Sequence, residues 1–250
     1  METSAPPLFI ERDYPVLLNQ IGPDKALRPH VVFDYMQDIA AQHADLLKVG
    51  MSYLKELGII WILSRIRLHM NRYPESGDTV HVRTWPSGVR KLFAQRQYEL
   101  FSAHSGERLG YASSCWLTLD LKTLRPLNPA QAAGGRIPEN ADRPVFFPDL
   151  GKLPAVQLDE TAVTHTAEQS HIDYNNHMNN AFYAMFTQDF LARKAGGLIR
   201  FEEIQINFNH SVAFGGSFRC GGVLNDDHSF GVCGMLDDGT NVFSAAGSLM

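Results

Sequence analysis

His171-Ile172-Asp173-Tyr174-Asn175-Asn176-His177-Met178-Asn179-Asn180 places an acid, an imidazole and several carboxamides within ten residues. Phe182, Met185, Phe186 and Phe190 follow at helical spacing, so the cluster lies at the N-terminus of a helix running from about Met178 to Arg193. A helix N-terminus offers unpaired backbone N–H groups and the positive end of the macrodipole. Those groups can hold a carbonyl oxygen and stabilise the negative charge that develops on it when the carbon is attacked. Asp173 would then be the general base for water or the nucleophile itself, with Asn175 and His177 orienting that water or sharing the proton traffic. Asp and Asn are also the residues that turns and helix caps prefer, so spacing alone leaves a purely structural role standing.

Competing chemistry has no foothold in the sequence. There is no Gly-x-Ser-x-Gly elbow, no His-Glu-x-x-His and neither glycine signature for nucleotide phosphates, so no metal and no organic cofactor is expected. Cys115, Cys220 and Cys233 lack zinc-ligand spacing and read as buried free thiols. A formal net charge of -5 removes the electrostatic footprint of a nucleic-acid binder. Residues 1–12 lack the basic start and apolar stretch of a secretion signal, and no apolar run approaches the ~20 residues needed to cross a bilayer, so no membrane association and a cytoplasmic location are expected.

The elements that would position the cluster occur twice. In the first segment, strand-like Phe9 to Leu17 is followed by Val32, Phe33, Met36, Ile39, Ala40, His43, Leu46 and Leu47 at helical spacing, with Pro29 at the entry and Gly50 at the exit. Strand-like runs follow at Ile62–Met70, Thr79–Trp85, Leu92–Leu100 and Leu109–Leu119. The second segment repeats the plan: Thr161–Ala167, the helix closed by Gly196 and Gly197, then strands around Ile204–Phe208, Phe218–Leu224, His228–Leu236 and Val242–Gly247. Asn225-Asp226-Asp227 and Asp238-Gly239 supply turns between the last three. One helix and four consecutive hairpin-connected strands per segment predict an α+β fold of antiparallel sheets, each wrapped around one long central helix. Six of the thirteen prolines lie between Leu121 and Leu158, which predicts an extended connector. The expected organisation is residues 1–120, a connector over 121–158, and a second domain over 159–250 carrying the loop.

Asp173-x-Asn175-x-His177-x-Asn179-Asn180-x-x-Tyr183 resembles the signature of the acyl-ACP thioesterases, tandem (double) hotdog enzymes of plants and bacteria. The first segment is similar to them too: Gln37-Asp38 and His43, Trp61-x-Leu63-x-Arg65, Arg72-Tyr73-Pro74 with Gly77-Asp78, Thr84-Trp85, Ser114-x-Trp116 and Asp120 occur in the family's order. The resemblance implies hydrolysis of fatty acyl-ACP to free fatty acid and ACP, with Asp173, Asn175 and His177 as catalytic residues and acyl carrier protein as partner. It further implies an active site in the second half and an acyl-binding wall in the first, so the expected substrate-binding residues are Asn179, Asn180, Trp61 and Trp116. The family commonly places a further acid where this chain has Ser211, beside His210. An acyl-CoA or aryl-CoA thioesterase, a hotdog dehydratase or hydratase on hydroxyacyl thioesters, and a non-hydrolytic acyl-binding protein are the alternatives. A monomer or a homodimer fits the duplicated plan.

Smaller features read more plainly. Trp61 and Trp116 are first of all core aromatics. His43, on the apolar stripe of its helix, reads as a satisfied core histidine, and Gln37-Asp38 as surface polarity or a vestige of a first-half site. Arg65 and Arg67 read as the solvent side of a strand and, with Lys122, Arg125, Arg136 and Arg143, as candidates to meet an acidic carrier.

Overall fold

The computed structural model describes residues 6–250. Residues 1–5 of the segment read for a secretion signal lie outside the described residues. In chain order the elements are β1 (Ile10–Pro15), α1 (Pro29–Leu46), α2 (Met51–Glu56), β2 (Ile59–Met70), β3 (Thr79–Arg90), β4 (Phe93–Ser102), β5 (Arg108–Asp120), β6 (Pro126–Leu127) and α3 (Pro129–Ala132). They continue with β7 (Val163–Thr166), α4 (Asn180–Ala195), β8 (Phe201–Phe208), β9 (Ser217–Leu224), β10 (Ser229–Met235) and β11 (Asn241–Leu249).

Pro29 opens α1, where its missing N–H costs nothing, and Gly196 closes α4 with a φ of 67° that a Cβ would disfavour. Gly50 does not end α1. It is the N-cap of the unforeseen short helix α2, whose six residues are too few for a periodic pattern to announce them. The start of α4 also falls two residues after the expected Met178, because Asn179 caps the helix.

The strands run in the order β1-β3-β4-β5-β2-β8-β11-β10-β9-β7, so the two sheets expected from the sequence are joined edge to edge into one antiparallel surface. Of the hairpins expected to connect four consecutive strands per half, the first is therefore wrong and the other two form: β2 leaves β3 and pairs with β5, and β8 leaves β9 and pairs with β11. The reason lies in the residues of β2 and β8, which are apolar on one face and would expose an edge if either were terminal. Instead Ile66 pairs with Ile206 and Leu68 with Ile204, all at most 1% exposed, beneath α1 and α4. Ser64 interrupts the register of β2 against β5, so upstream of it Leu63 is buried while Ile62, grouped with Ile66 by simple alternation, is 36% exposed.

The outer face of the β2–β8 seam is polar, and the proline-rich segment straps it. Gly151 accepts from Gln205 Nε2 at 2.9 Å and Asn207 Nδ2 at 3.3 Å, the Arg65 guanidinium donates to the Leu150 carbonyl, and Arg67 pairs with Glu203 at 2.5 Å while stacking on Phe147. Arg65 and Arg67 are thus not a free solvent face, because the connector covers them.

Gly247 shows how tightly the strands around the seam approach: a Cβ there would lie 1.9 Å from the Glu203 carbonyl oxygen. We expect Gly247→Ala to force β8 and β11 apart and destabilise the fold by about 2–3 kcal/mol. A urea-denaturation midpoint checks this, and a change within the range of ordinary surface substitutions would contradict it.

Candidate active site

The loop ahead of α4 is built by its own carboxamides and acid. An isolated bridge between Ile172 and Met178 closes it, with Asp173 N–H donating to the His177 carbonyl at 2.9 Å and Asn176 N–H to the Asp173 carbonyl at 3.0 Å. Asn176 takes a φ of 64°, a conformation Asn tolerates better than most residues. Asp173 Oδ1 accepts from Asn175 N–H at 2.8 Å, and Asn175 Nδ2 lies 3.4 Å from Oδ2, so one carboxylate oxygen is committed to the turn and the other is held loosely. Met178 N–H bonds the Val212 carbonyl at 2.8 Å and His177 bridges Ala213, which ties the loop to the segment between β8 and β9.

Asn179 is the N-cap: its Oδ1 accepts from Ala181 N–H at 2.8 Å while its carbonyl takes Phe182 N–H at 3.1 Å. This leaves the amide of Asn180, the first residue of α4, as the helix N–H for a carbonyl oxygen. Asp173, Asn175, His177, Asn179 and Asn180 all line one cleft of about 1100 Å³, together with Trp61 and Trp116 on the sheet of the first half. The two tryptophans are half-buried, their Nε1 groups satisfied by the Val49 carbonyl and Ser114 Oγ at 2.8 Å each; they line the cleft and, contrary to the reading as core aromatics, do not belong to the packed core. Ser211 and His210 line it too. His171 does not: its ring packs on Phe182 and its Nδ1 accepts from Glu168 N–H.

Sequence profiles of the acyl-ACP thioesterase N-terminal and C-terminal domains match residues 7–130 and 158–226. The chain belongs to the acyl-ACP thioesterase family. It is 30% identical over 190 residues to the chloroplastic palmitoyl-acyl carrier protein thioesterase of Gossypium hirsutum, a match covering 70% of this chain and 45% of that one. The chain thus spans less than half the length of that curated relative. Its fold superposes on the 12:0-ACP thioesterase of Umbellularia californica with a TM-score of 0.83 at 19% identity, covering 98% of both chains. An acyl-ACP thioesterase from Bacteroides thetaiotaomicron gives 0.82 at 21% identity, over 97% of this chain and 98% of that one. The architecture is therefore a tandem hotdog.

In this acyl-ACP thioesterase relative the first half contains the same loop without the same chemistry. Ile21 bridges Leu27 as Ile172 bridges Met178, Gly22 N–H reaches the Ala26 carbonyl at 2.8 Å, and Lys25 takes a φ of 65° like Asn176. Gly22, Asp24 and Ala26 occupy the places of Asp173, Asn175 and His177. Asp24 is held by Arg200 Nε at 2.7 Å across a smaller cavity of about 320 Å³.

Gln37 and Asp38, read as surface polarity or a first-half vestige, belong to the second-half site: both line the large cleft, and Gln37 bonds Asn179. Their signal was in the sequence, because Gln188-Asp189 repeats the pair at the same place on α4, facing the smaller cavity. His43 is the core histidine expected, with Nε2 against the Pro7 carbonyl at 2.9 Å and Nδ1 against Arg96 at 3.2 Å; burial holds its pKa down at about 4. The three thiols are free and buried, and burial raises all three, Cys115 to about 11. Among the described residues no group of three or more His, Cys, Asp or Glu is placed to hold a metal ion, and no helix is long and apolar enough to cross a membrane.

Asp34 was not singled out from the sequence. It lines the cleft one turn before Gln37 with its side chain solvent-exposed, and partial enclosure by the surrounding protein pushes its carboxyl up to about 6. A free carboxyl ionises near pH 4, so between about pH 4 and 6 the folded state holds the extra proton and stability falls as pH rises through that window. Because the carboxyl is exposed and screened by solvent, we expect Asp34→Asn to be only slightly more stable than wild type at pH 7.5, with the advantage vanishing below about pH 4. Urea midpoints at the two pH values test this, and a pH-independent difference would remove Asp34 as its source.

Proposed function

We propose that the protein hydrolyses fatty acyl-ACP to free fatty acid and ACP in fatty acid biosynthesis, with Asp173, Asn175 and His177 as its catalytic residues. The observation that carries this reading is the convergence of the 173–180 loop and the open N-terminus of α4 on a cleft of lipid size. The acyl carbonyl oxygen lies against the Asn180 amide, where the helix end stabilises the charge of the tetrahedral intermediate. Asp173 takes a proton from water through its loosely held oxygen as that water attacks, Asn175 fixes the carboxylate and His177 orients the water; the intermediate then collapses, the C–S bond breaks, and the proton passes from Asp173 to the departing carrier thiolate, leaving the free acid. The chain runs along the first-half wall formed by Trp61 and Trp116, with Asn179 and Asn180 at its head.

The family and its relatives' names support a carrier protein as the partner. Of the cations considered for meeting it, Arg136 stacks on Tyr53 and Arg143 on Phe9, which leaves Lys122 and Arg125 on the turn beside the cleft residues Leu121 and Leu124. The Gossypium hirsutum relative is chloroplastic, and a cytoplasmic location for this chain is part of this proposal.

Thiol release from a panel of acyl-ACPs and acyl-CoAs is the test. We expect faster turnover of an acyl group on ACP than of the same group on CoA. Asp173→Asn keeps an oxygen for the Asn175 N–H, so folding should survive while kcat falls roughly 10²–10⁴-fold. Full activity in that variant would take Asp173 out of the mechanism, and equal turnover of the two carriers would take away the ACP assignment.

A further inference from the structure

Two hydrogen bonds join the halves within the cleft: Tyr174 Oη donates to Met51 Sδ, and the other reaches the helix cap. Gln37 Nε2 of α1 donates to Asn179 Oδ1 at 3.2 Å, the same oxygen that caps Ala181 N–H at 2.8 Å. Two donors from different halves therefore fix the rotation of one carboxamide, which adjoins the Asn180 amide. Helix α1 is itself immobilised here: Met36 and Ile39 are fully buried, and the next residue, Asp38, accepts from Tyr14 Oη at 2.7 Å and Gln42 Nε2 at 2.8 Å.

The internal repeat supplies a comparison within the same molecule. Gln188 holds the equivalent place on α4, facing the loop that has Gly22 and Ala26 in place of the acid and imidazole. There the cap position is Arg28, which turns away to the Asn19 carbonyl, and Gln188 donates instead to the Ile199 carbonyl at 3.1 Å. Both helices carry the glutamine, but it grips the cap only at the loop that carries Asp173 and His177.

We propose that Gln37 is a positioning residue: it holds the Asn179 cap, and through it the first amides of α4, at the angle that meets the acyl carbonyl oxygen. The proposal rests on reading the 173–180 loop as the site of thioester hydrolysis. Its action is through Asn179, so its loss lowers the rate of the chemical step and leaves substrate affinity nearly intact.

The experiment uses the full chain and whichever acyl-ACP the wild type turns over fastest; absence of thiol release from every acyl-ACP and acyl-CoA would sink the hydrolase reading itself. Given activity, Gln37→Ala is expected to lower kcat roughly 10–100-fold with KM within about twofold, since misplacing one oxyanion donor has effects of up to that order. Gln37→Glu preserves shape but, when ionised, offers only acceptors to Asn179 Oδ1. Its kcat relative to wild type should be low at pH 8 and recover as pH falls and the carboxyl regains an O–H donor. A purely structural hydrogen bond would not produce that recovery. Wild-type kcat in Gln37→Ala, or a Gln37→Glu to wild-type ratio that does not change with pH, would overturn the assignment while leaving the hydrolase reading in place.

Discussion

The pairing of β2 with β8 is the interaction on which the rest of the molecule depends. It turns two half-sheets with one vulnerable edge each into a single surface, and it sets α1 beside α4 so that each helix faces the other half's loop. The inner side of the seam is held by burial of Ile66, Leu68, Ile204 and Ile206. Its outer side is a row of charged and amide side chains that would be wet on an open sheet, and the connector makes their hydrogen bonds internal. Tyr73 adds a further tie, its buried hydroxyl donating to the Phe201 carbonyl at 3.1 Å.

That geometry makes the site composite. The loop residues that can do chemistry come from one half, but the wall opposite them, with Asp34, Gln37 and Asp38, comes from the other. Asp34 lines the same cleft from α1, its carboxyl raised by the protein around it. Neither half alone could present both the loop and the wall.

The sequence disclosed the elements and the loop because both are local. Hydrophobic period found α1 and α4, alternation found the long strands, and Asp173 to Asn180 stood out by composition alone. What it withheld is non-local. Which strand β2 pairs with depends on closing the seam, not on its own residues, and the polarity of Arg65 and Arg67 reads as solvent exposure until the connector is placed over it. Gln37 looked like surface because the group it serves is Asn179, far along the chain. The register slip at Ser64 is equally silent, since one inserted residue leaves no compositional trace.

Duplication raises the question of why one loop keeps its acid and imidazole and the other does not, and packing gives a physical answer. The second half is solid: Tyr183, Phe186, Phe218 and Phe243 stack within 5.0 to 6.3 Å of one another beneath α4. Ala40 lines the large cleft in the first half, whereas Leu191, its counterpart on α4, is fully buried and fills the corresponding space. The larger space thus lies beside α1, and the loop that opens onto it is the one at the start of α4. The cavity beside Gly22 is less than a third the volume of the cleft at Asp173, and the Asp24–Arg200 pair lines it with an ion pair. The two halves are both packed, and they differ in what the helix presents: small Ala40 at the large cleft, Leu191 buried at the corresponding place.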